Sequence, residues 1–190
     1  ANIWYFSGPD QLVKVYEELQ SFGVNHILAS NENTASNINY MNDEMENILT
    51  SRYDIYQDVL DPELYKWTKP NQTPSPFDLQ AWPDDIGQKS NGELIYGWSL
   101  KNVSNPDQMI YMGKLCDKPA INYAIDRINE ECITSDDTIR KNYKCRFIDT
   151  TTASEWYECY NENHPMTRTD SRQYRMKLLS LMHDFNMVCG

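Results

Sequence analysis

Predicted helices alternate with short apolar segments along most of this chain, and this alternation constrains the fold more than any other feature of the sequence. Residues 10–22 carry apolar side chains at helical spacing, and Gly23 ends this helix before the apolar segment 24–29. A second helix at 36–46 and a strand at 48–53 repeat the order. Short strands separated by helices pair in parallel through crossover connections. The sequence therefore predicts an α/β fold with a parallel sheet.

The middle of the chain interrupts this alternation. Repeated prolines between residues 60 and 106 exclude long regular elements, apart from a strand at 94–100 that follows a turn at 90–92. A loop of this length within a compact domain is usually functional, so we expect an insertion or lid over a site. The alternation then resumes with predicted helices and strands at 119–132, 145–148, 168–185 and 187–189.

Two folds fit this order of elements. The chain opens at a helix that should follow a missing or minimal first strand, and it closes within an apolar run. We therefore expect residues 1–190 to be a fragment, the N-terminal part of a partial (β/α)₈ TIM-like barrel with a long proline-rich insertion. A complete doubly wound α/β domain is the competing interpretation. Glycine-rich phosphate-binding loops are missing from the sequence, which disfavours a nucleotide-binding domain.

Polar side chains stand at the ends of three of the predicted parallel strands. Asn31 comes after the first strand, Tyr53 and Asp54 end the second, and Asp149 and Thr150 follow the third. The carboxyl ends of barrel strands carry the active site in (β/α)₈ enzymes, so these side chains predict a polar pocket there. In the alternative interpretation, Asp149 and Thr150 merely cap the next helix.

Composition limits the partners of the chain. A formal net charge of −11 without any basic run disfavours nucleic acid as a partner. No segment approaches the roughly 20 apolar residues that a membrane-spanning helix needs, and the N-terminus lacks the regions of a signal peptide. Thirteen Tyr and five Trp against five Phe fit a carbohydrate-facing cleft, although a large aromatic core would account for most of them.

Short-range metal and cofactor motifs are missing from the sequence. The five cysteines are widely spaced without a CxxC pair, which argues against a zinc site and a dense disulfide framework. The three histidines form neither an HxH nor an HExxH pair. We therefore expect no metal and no cofactor. His164, which precedes Pro165 in a predicted loop, is retained as a candidate substrate-binding residue, with a structural or solvated role as the alternative.

Carboxyl groups are the candidate catalytic groups. Hydrolysis of a glycoside normally uses two of them, one as nucleophile or base and one as acid. Asp149 is the candidate for the first role. Asp54, Glu155 and Glu158 are candidates for the second, although Glu155 and Glu158 stand at the helical spacing of a solvated face.

The sequence Arg-Phe-Ile-Asp-Thr-Thr-Thr-Ala at 146–153, followed by 166–168 and by the helix leading into 186–190, resembles a known family. It is similar to the catalytic barrel of bacterial exo-acting α-N-acetylgalactosaminidases, which are related to the endo-α-N-acetylgalactosaminidases of mucin breakdown. The resemblance is clearest over 145–190 and weaker over 25–58. It implies that Asp149, at the end of barrel strand four, is the nucleophile. It also implies an acid/base glutamate beyond the strand that begins at 187–190, outside this chain.

The resemblance implies a retaining glycoside hydrolase that acts on α-linked N-acetylgalactosamine or a related α-galactoside. A carbohydrate is then the partner, and Asn31, Tyr53, Asp54, Thr150 and His164 are the candidate substrate-binding residues. The alternative is a non-catalytic carbohydrate-binding or surface-interaction protein that keeps the barrel without the chemistry. A glutamate shortly after Gly190 in the parent protein favours the enzyme. The resemblance leaves the oligomeric state open. It implies that the parent protein is secreted, periplasmic or on the cell surface of a bacterium, with a cytoplasmic enzyme that degrades imported glycans as the alternative.

Overall fold

A computed structural model describes residues 9–30, 33–132 and 142–190. In chain order, the elements of these residues are α1 (Pro9–Ser21), β1 (Ile27–Ser30), α2 (Ala35–Glu44), β2 (Ile48–Asp54), β3 (Asp58–Val59), a 3₁₀ helix (Pro62–Leu64), α3 (Tyr65–Thr68), α4 (Pro76–Ala81), β4 (Tyr96–Asn102), β5 (Asn105–Lys114), α5 (Asp117–Cys132), β6 (Cys145–Ile148), α6 (Arg168–Asp184) and β7 (Val188–Cys189). Within the described ranges, no helix has the length and apolar character needed to cross a membrane.

The chain divides into two compact units. The first, which we call the parallel-sheet unit, contains residues 1–54, 126–148 and 182–190. The second, which we call the hairpin unit, contains residues 55–125 and 149–181. Each unit has a β-sheet of its own.

The parallel-sheet unit is built on four strands in the order β1-β2-β6-β7. All three neighbouring pairs are parallel, with Ile27 opposite Ile48 in the first pair and Ser51 opposite Cys145 in the second. The strands that form this sheet were predicted at 24–29, 48–53, 145–148 and 187–189, and the prediction of parallel pairing is confirmed. The parallel pairing therefore places the carboxyl ends of these strands at one edge of the sheet.

Helix α2 shows how sequence and packing agree in this unit. The side chain of Thr34 caps the helix by accepting a hydrogen bond from the backbone N–H of Asn37 at 3.3 Å. Ile38 and Met41 face inward and join a buried cluster with Leu12, Val13, Tyr16, Ala29 and Tyr143. Burial of such side chains supplies the main free energy that holds helices against a sheet.

The hairpin unit contains a second sheet, which is antiparallel and has the order β3-β5-β4. The strand predicted at 94–100 is confirmed as β4, and the other regular elements between residues 60 and 95 are short, as the prolines predicted: a 3₁₀ turn, α3 and α4. The expectation that all strands are parallel holds for the other sheet alone. Strand β5 was not predicted; its Ile110 and Met112 are buried while Met109 and Tyr111 are exposed, the period-two pattern of a strand with one buried face.

Candidate functional site

The turn that follows β6 positions Asp149. The strand ends at Ile148, and Thr150 adopts a left-handed backbone with φ of 62°. A β-branched residue rarely adopts this conformation, because it costs free energy and persists only where the surrounding structure holds it. The N–H of Thr151 donates to the Asp149 carbonyl at 2.8 Å, and the N–H of Ser154 donates to the Thr150 carbonyl at 3.0 Å. The chain therefore reverses tightly just past the strand end.

Gln57 anchors this turn from the side. The hydroxyls of Thr150 and Ser154 both donate to Gln57 Oε1, each at 3.1 Å. Gln57 is 6% exposed, and its Nε2 atom has no hydrogen-bond partner among the described residues. A buried amide with unused donors is costly, so such groups usually meet a ligand or an ordered water. Gln57 therefore marks a polar site beside the turn at Asp149.

Asp58 brings a second carboxyl group to this site. Burial raises the pKa of Asp58, and the charge of Asp149 raises it further. A hydrogen bond from the Trp98 backbone and the charge of Lys114 act in the opposite direction on the same pKa. A Cβ atom on Gly97 would lie 3.4 Å from Asp58 Oδ1, so the β4 backbone runs close to this carboxyl group. Two interacting carboxyl groups therefore stand in the hairpin unit with one lysine.

Lys114 and Tyr157 complete the polar cluster. Burial lowers the pKa of Lys114, as does the charge of Arg175, whereas nearby carboxylates raise it. The Lys114 Nζ atom lies 4.5 Å from the centroid of the Tyr157 ring, in cation–π geometry. The Tyr157 hydroxyl donates to the Leu115 carbonyl at 2.7 Å. These contacts fix a cation next to Asp58.

Arg175 of α6 holds the segment that leads away from Asp149. Its Nε donates to Asp117 Oδ2 at 2.9 Å in a buried ion pair. Its two Nη atoms donate to the carbonyls of Thr151, Ser154 and Glu155 at 3.2, 2.7 and 2.8 Å. A planar guanidinium with five fixed donors suits this role, because it bonds several carbonyls at once. The backbone after Asp149 is therefore clamped to one buried charge pair.

The structure places the other predicted site residues elsewhere. Asn31 lies outside the described residues. Tyr53 and Asp54 end β2 in the parallel-sheet unit, where Tyr53 is half exposed and stacks on Phe147 with ring centroids 5.8 Å apart. Glu155 and Glu158 are both exposed.

Asp54 is fully buried in an ion-pair network. Arg127 and Arg146 contact its carboxylate at 3.1 and 3.0 Å, and Arg52 lies 3.4 Å away. Glu131 pairs with Arg52 and Arg146 on the other side of the network. A buried carboxylate with these partners is a structural counter-ion in the present conformation.

His164 is also buried, in a cluster with two cysteines. Its Nδ1 atom lies 3.4 Å from Cys159 Sγ, and its Nε2 atom lies 2.8 Å from the Asp84 carbonyl oxygen. Burial lowers the pKa of His164, but the hydrogen bonds with Cys159 and the Asp84 carbonyl outweigh it and leave the pKa raised. The hydrogen bond with Cys116 lowers the pKa of Cys159 and raises that of Cys116. His164 thus contacts thiol groups and not solvent.

Sequence reasoning missed several of these residues. Gln57 and Asp58 stand three and four positions past the end of β2, and the sequence pattern did not mark either as a site residue. The sole signal for them was their position shortly after a predicted strand end. Cys116 and Cys159 are 43 positions apart in the chain, too far for a spacing motif to join them.

An aromatic groove of about 780 Å³ lies in the hairpin unit, on the antiparallel sheet. Trp67, Tyr96 and Tyr111 line it, and each is at least 41% exposed. Asn102 and Gln108 add amide groups, and the Asn102 Nδ2 atom donates to Gln108 Oε1 at 2.9 Å. Flat aromatic faces beside amides have the composition of a carbohydrate-contacting surface.

Neither a protein-family model nor a curated protein matches this sequence. Solved structures do match its fold. The structure of the α-N-acetylgalactosaminidase NagBb from Bifidobacterium bifidum in complex with GalNAc superposes with a TM-score of 0.67 at 14% sequence identity, and covers 97% of this chain. The quadruple mutant of the same enzyme gives a TM-score of 0.66 at 15% identity, again over 97% of this chain. This chain spans 29% and 30% of those two chains. The chain therefore has a mixed α/β fold similar to part of a glycoside hydrolase.

Proposed function

We propose that this chain is part of the catalytic (β/α)₈ barrel of a retaining glycoside hydrolase, with Asp149 as its nucleophile. The observation that carries the proposal is the turn after β6, where Asp149 follows a parallel strand beside Gln57 and a second carboxyl group, Asp58. Active sites of (β/α)₈ enzymes are built at this end of their strands. The likeness in fold to an α-N-acetylgalactosaminidase supports the same class of reaction.

The proposed substrate is α-linked N-acetylgalactosamine or a related α-galactoside. The Asp149 carboxylate attacks the anomeric carbon while the bond to the leaving-group oxygen breaks, and an acid residue outside this chain protonates that oxygen. Water then hydrolyses the covalent glycosyl–enzyme and restores Asp149. Asp58 and the unused Nε2 donors of Gln57 are the groups that bind sugar hydroxyls beside the nucleophile.

The test uses an activated substrate, a dinitrophenyl α-N-acetylgalactosaminide, because its leaving group needs no acid catalyst. Asp149→Asn keeps the shape of the side chain and removes the nucleophile, so turnover should fall by several powers of ten. Azide should restore part of it and yield a product of inverted anomeric configuration. Asp107→Asn, at an exposed position of β5, is the matched control and should keep full turnover. Full activity of the Asp149→Asn variant would remove the assignment.

A second candidate function is carbohydrate binding without catalysis, and the aromatic groove favours it. Calorimetric titration with N-acetylgalactosamine separates the two. In a binding protein, Trp67→Ala abolishes binding and the wild-type protein shows no turnover of the activated substrate. If the protein is an enzyme, the wild type turns over the activated substrate and the Asp149→Asn variant does not, whether or not Trp67→Ala weakens binding of the sugar.

A further inference from the structure

The hairpin unit contains a buried group of soft metal-binding side chains. One ligand atom from each of Cys116, Cys159 and His164 lies within 4.8 Å of the other two. All three residues are buried, at 0%, 3% and 4% exposure. Met166 adds a thioether sulfur 3.9 Å from Cys116 Sγ, and it is buried as well. No step of the proposed glycosidase reaction uses these groups.

The local fold assembles the cluster from two segments. Cys159 and Met166 exchange backbone hydrogen bonds of 2.8 and 2.9 Å, as in an antiparallel pair. The intervening loop folds back so that His164 reaches the sulfur of Cys159. Cys116 comes from the position immediately before α5, and its sulfur lies 3.7 Å from the His164 carbonyl oxygen. One loop therefore supplies three of the four side chains, and a helix start supplies the last.

Hydrogen bonds outside the cluster orient its donor atoms. The Asp84 carbonyl can only accept, so His164 Nε2 carries the proton and Nδ1 presents its lone pair to Cys159 Sγ. A backbone carbonyl on the far nitrogen is the usual partner of a histidine that binds a metal. The N–H of Gln88 also lies 3.4 Å from Cys159 Sγ, and bonds of this kind stabilise a thiolate. The donor atoms are thus directed toward one another before any ion binds.

We propose that Cys116, Cys159 and His164 bind one Zn²⁺ ion, with Met166 beside the fourth position. With zinc–sulfur bonds of about 2.3 Å and zinc–nitrogen bonds of about 2.0–2.1 Å, tetrahedral ligand atoms lie about 3.5–3.8 Å apart. The 3.4 Å between His164 Nδ1 and Cys159 Sγ is close to this spacing. Binding releases one proton from each thiol, so two thiolates balance the charge of the ion.

The ion would tie the loop 159–166 to the start of α5. Thiolate and imidazole ligands select zinc over calcium or magnesium, which prefer oxygen. The competing fate of the two cysteines is a disulfide between Cys116 and Cys159, which would consume both ligands and exclude the metal. The two outcomes are chemically distinct, and one set of measurements separates them.

The test measures metal on the intact chain, purified under a phosphine reductant from medium that contains zinc. Elemental mass spectrometry should find one zinc per chain. Cobalt substituted for zinc should give the sulfur-to-metal charge-transfer band and the visible bands of a tetrahedral thiolate site. Cys159→Ser and His164→Gln should each weaken zinc binding at least tenfold. Cys189→Ser, a half-buried cysteine of β7 outside the cluster, should bind zinc like the wild type.

Two results would overturn the proposal. The first is a folded wild-type chain that takes up neither zinc nor cobalt, including one whose peptide map shows Cys116 joined to Cys159. The second is zinc uptake that Cys159→Ser and His164→Gln leave unchanged. If these variants do not fold, the cobalt spectrum of the wild-type chain and its loss on chelation decide the question. None of these readouts depends on glycosidase activity.

Discussion

Replacement of Arg146 by methionine tests the assignment of Asp54 as a structural counter-ion. The Arg146 guanidinium is almost fully buried and donates to both Asp54 and Glu131. Methionine keeps the length and the apolar contacts of the stem but removes the charge. Asp54 and Glu131 then stay buried and lose this partner, while the partly exposed Arg52 and Arg127 still contact the network.

The magnitude follows from this burial. Removing one partner of a buried ion pair costs about 3–5 kcal/mol, because the remaining charge is left without compensation. At about 1.4 kcal/mol per factor of ten, the unfolded fraction should rise on the order of 10²- to 10⁴-fold. Arg52→Met is the matched control, since Arg52 joins the same two carboxylates from a position with 21% side-chain exposure. There the expected cost is smaller than for Arg146→Met, because water reaches this position and partly compensates the lost charge.

The assay is urea unfolding of each variant, followed by circular dichroism and extrapolated to water. The two arginine variants should separate clearly in midpoint while they keep similar slopes. Equal midpoints for Arg146→Met and the wild type would refute the reasoning. The assignment of Asp54 as a structural counter-ion would then be wrong.

Three further predictions concern the hairpin unit. Asp78→Ala should destabilise the fold by about 2–4 kcal/mol in urea unfolding, because this buried carboxylate accepts bonds from the Leu60 backbone and from two hydroxyls. At pH 7, the Asp58→Asn variant should unfold at a higher urea concentration than the wild type. Burial raises the pKa of Asp58 in the folded state above its ordinary value of 3.8, so the folded protein binds this proton more tightly than the unfolded chain does. The protonated Asp58 therefore stabilises the fold below pH 3.8, and this stabilisation is lost as the pH rises through the raised pKa. In acid, the wild type and the variant should unfold at the same urea concentration. Gly113→Ala should lower the unfolding free energy by about 1–3 kcal/mol, because its Cβ would lie 2.8 Å from the Trp82 ring.

The parallel sheet could be predicted because its strands are short, apolar and separated by amphipathic helices. Each strand carries its signal within four to seven consecutive residues, or two in the case of β7. Strand β5 was missed since its polar first half, Asn105 to Gln108, reads as a loop, and its burial depends on pairing with β3 and β4. Pairing between distant segments is not encoded in local periodicity.

The candidate site was only partly predictable for a related reason. Asp149 and Thr150 stand directly after an apolar strand, and that local signal made them candidate site residues. The roles of Gln57 and Asp58 depend on contacts across more than 90 positions of the chain. The cluster around His164 includes Cys116, which is 48 positions away in sequence. Such constellations are created by folding and leave no spacing motif in the sequence.

Covalent labelling of Asp149 tests the central claim most directly. A 5-fluoro-α-N-acetylgalactosaminyl fluoride carries its own leaving group, so it requires the nucleophile and no acid residue. A retaining enzyme attacks it and accumulates the glycosyl–enzyme, because the fluorine slows the second step. We predict that peptide mass spectrometry of the labelled wild-type protein finds one sugar on Asp149 and that Asp149→Asn is not labelled. A sugar on another residue, or a folded wild-type protein that stays unlabelled while it binds N-acetylgalactosamine, would contradict the account.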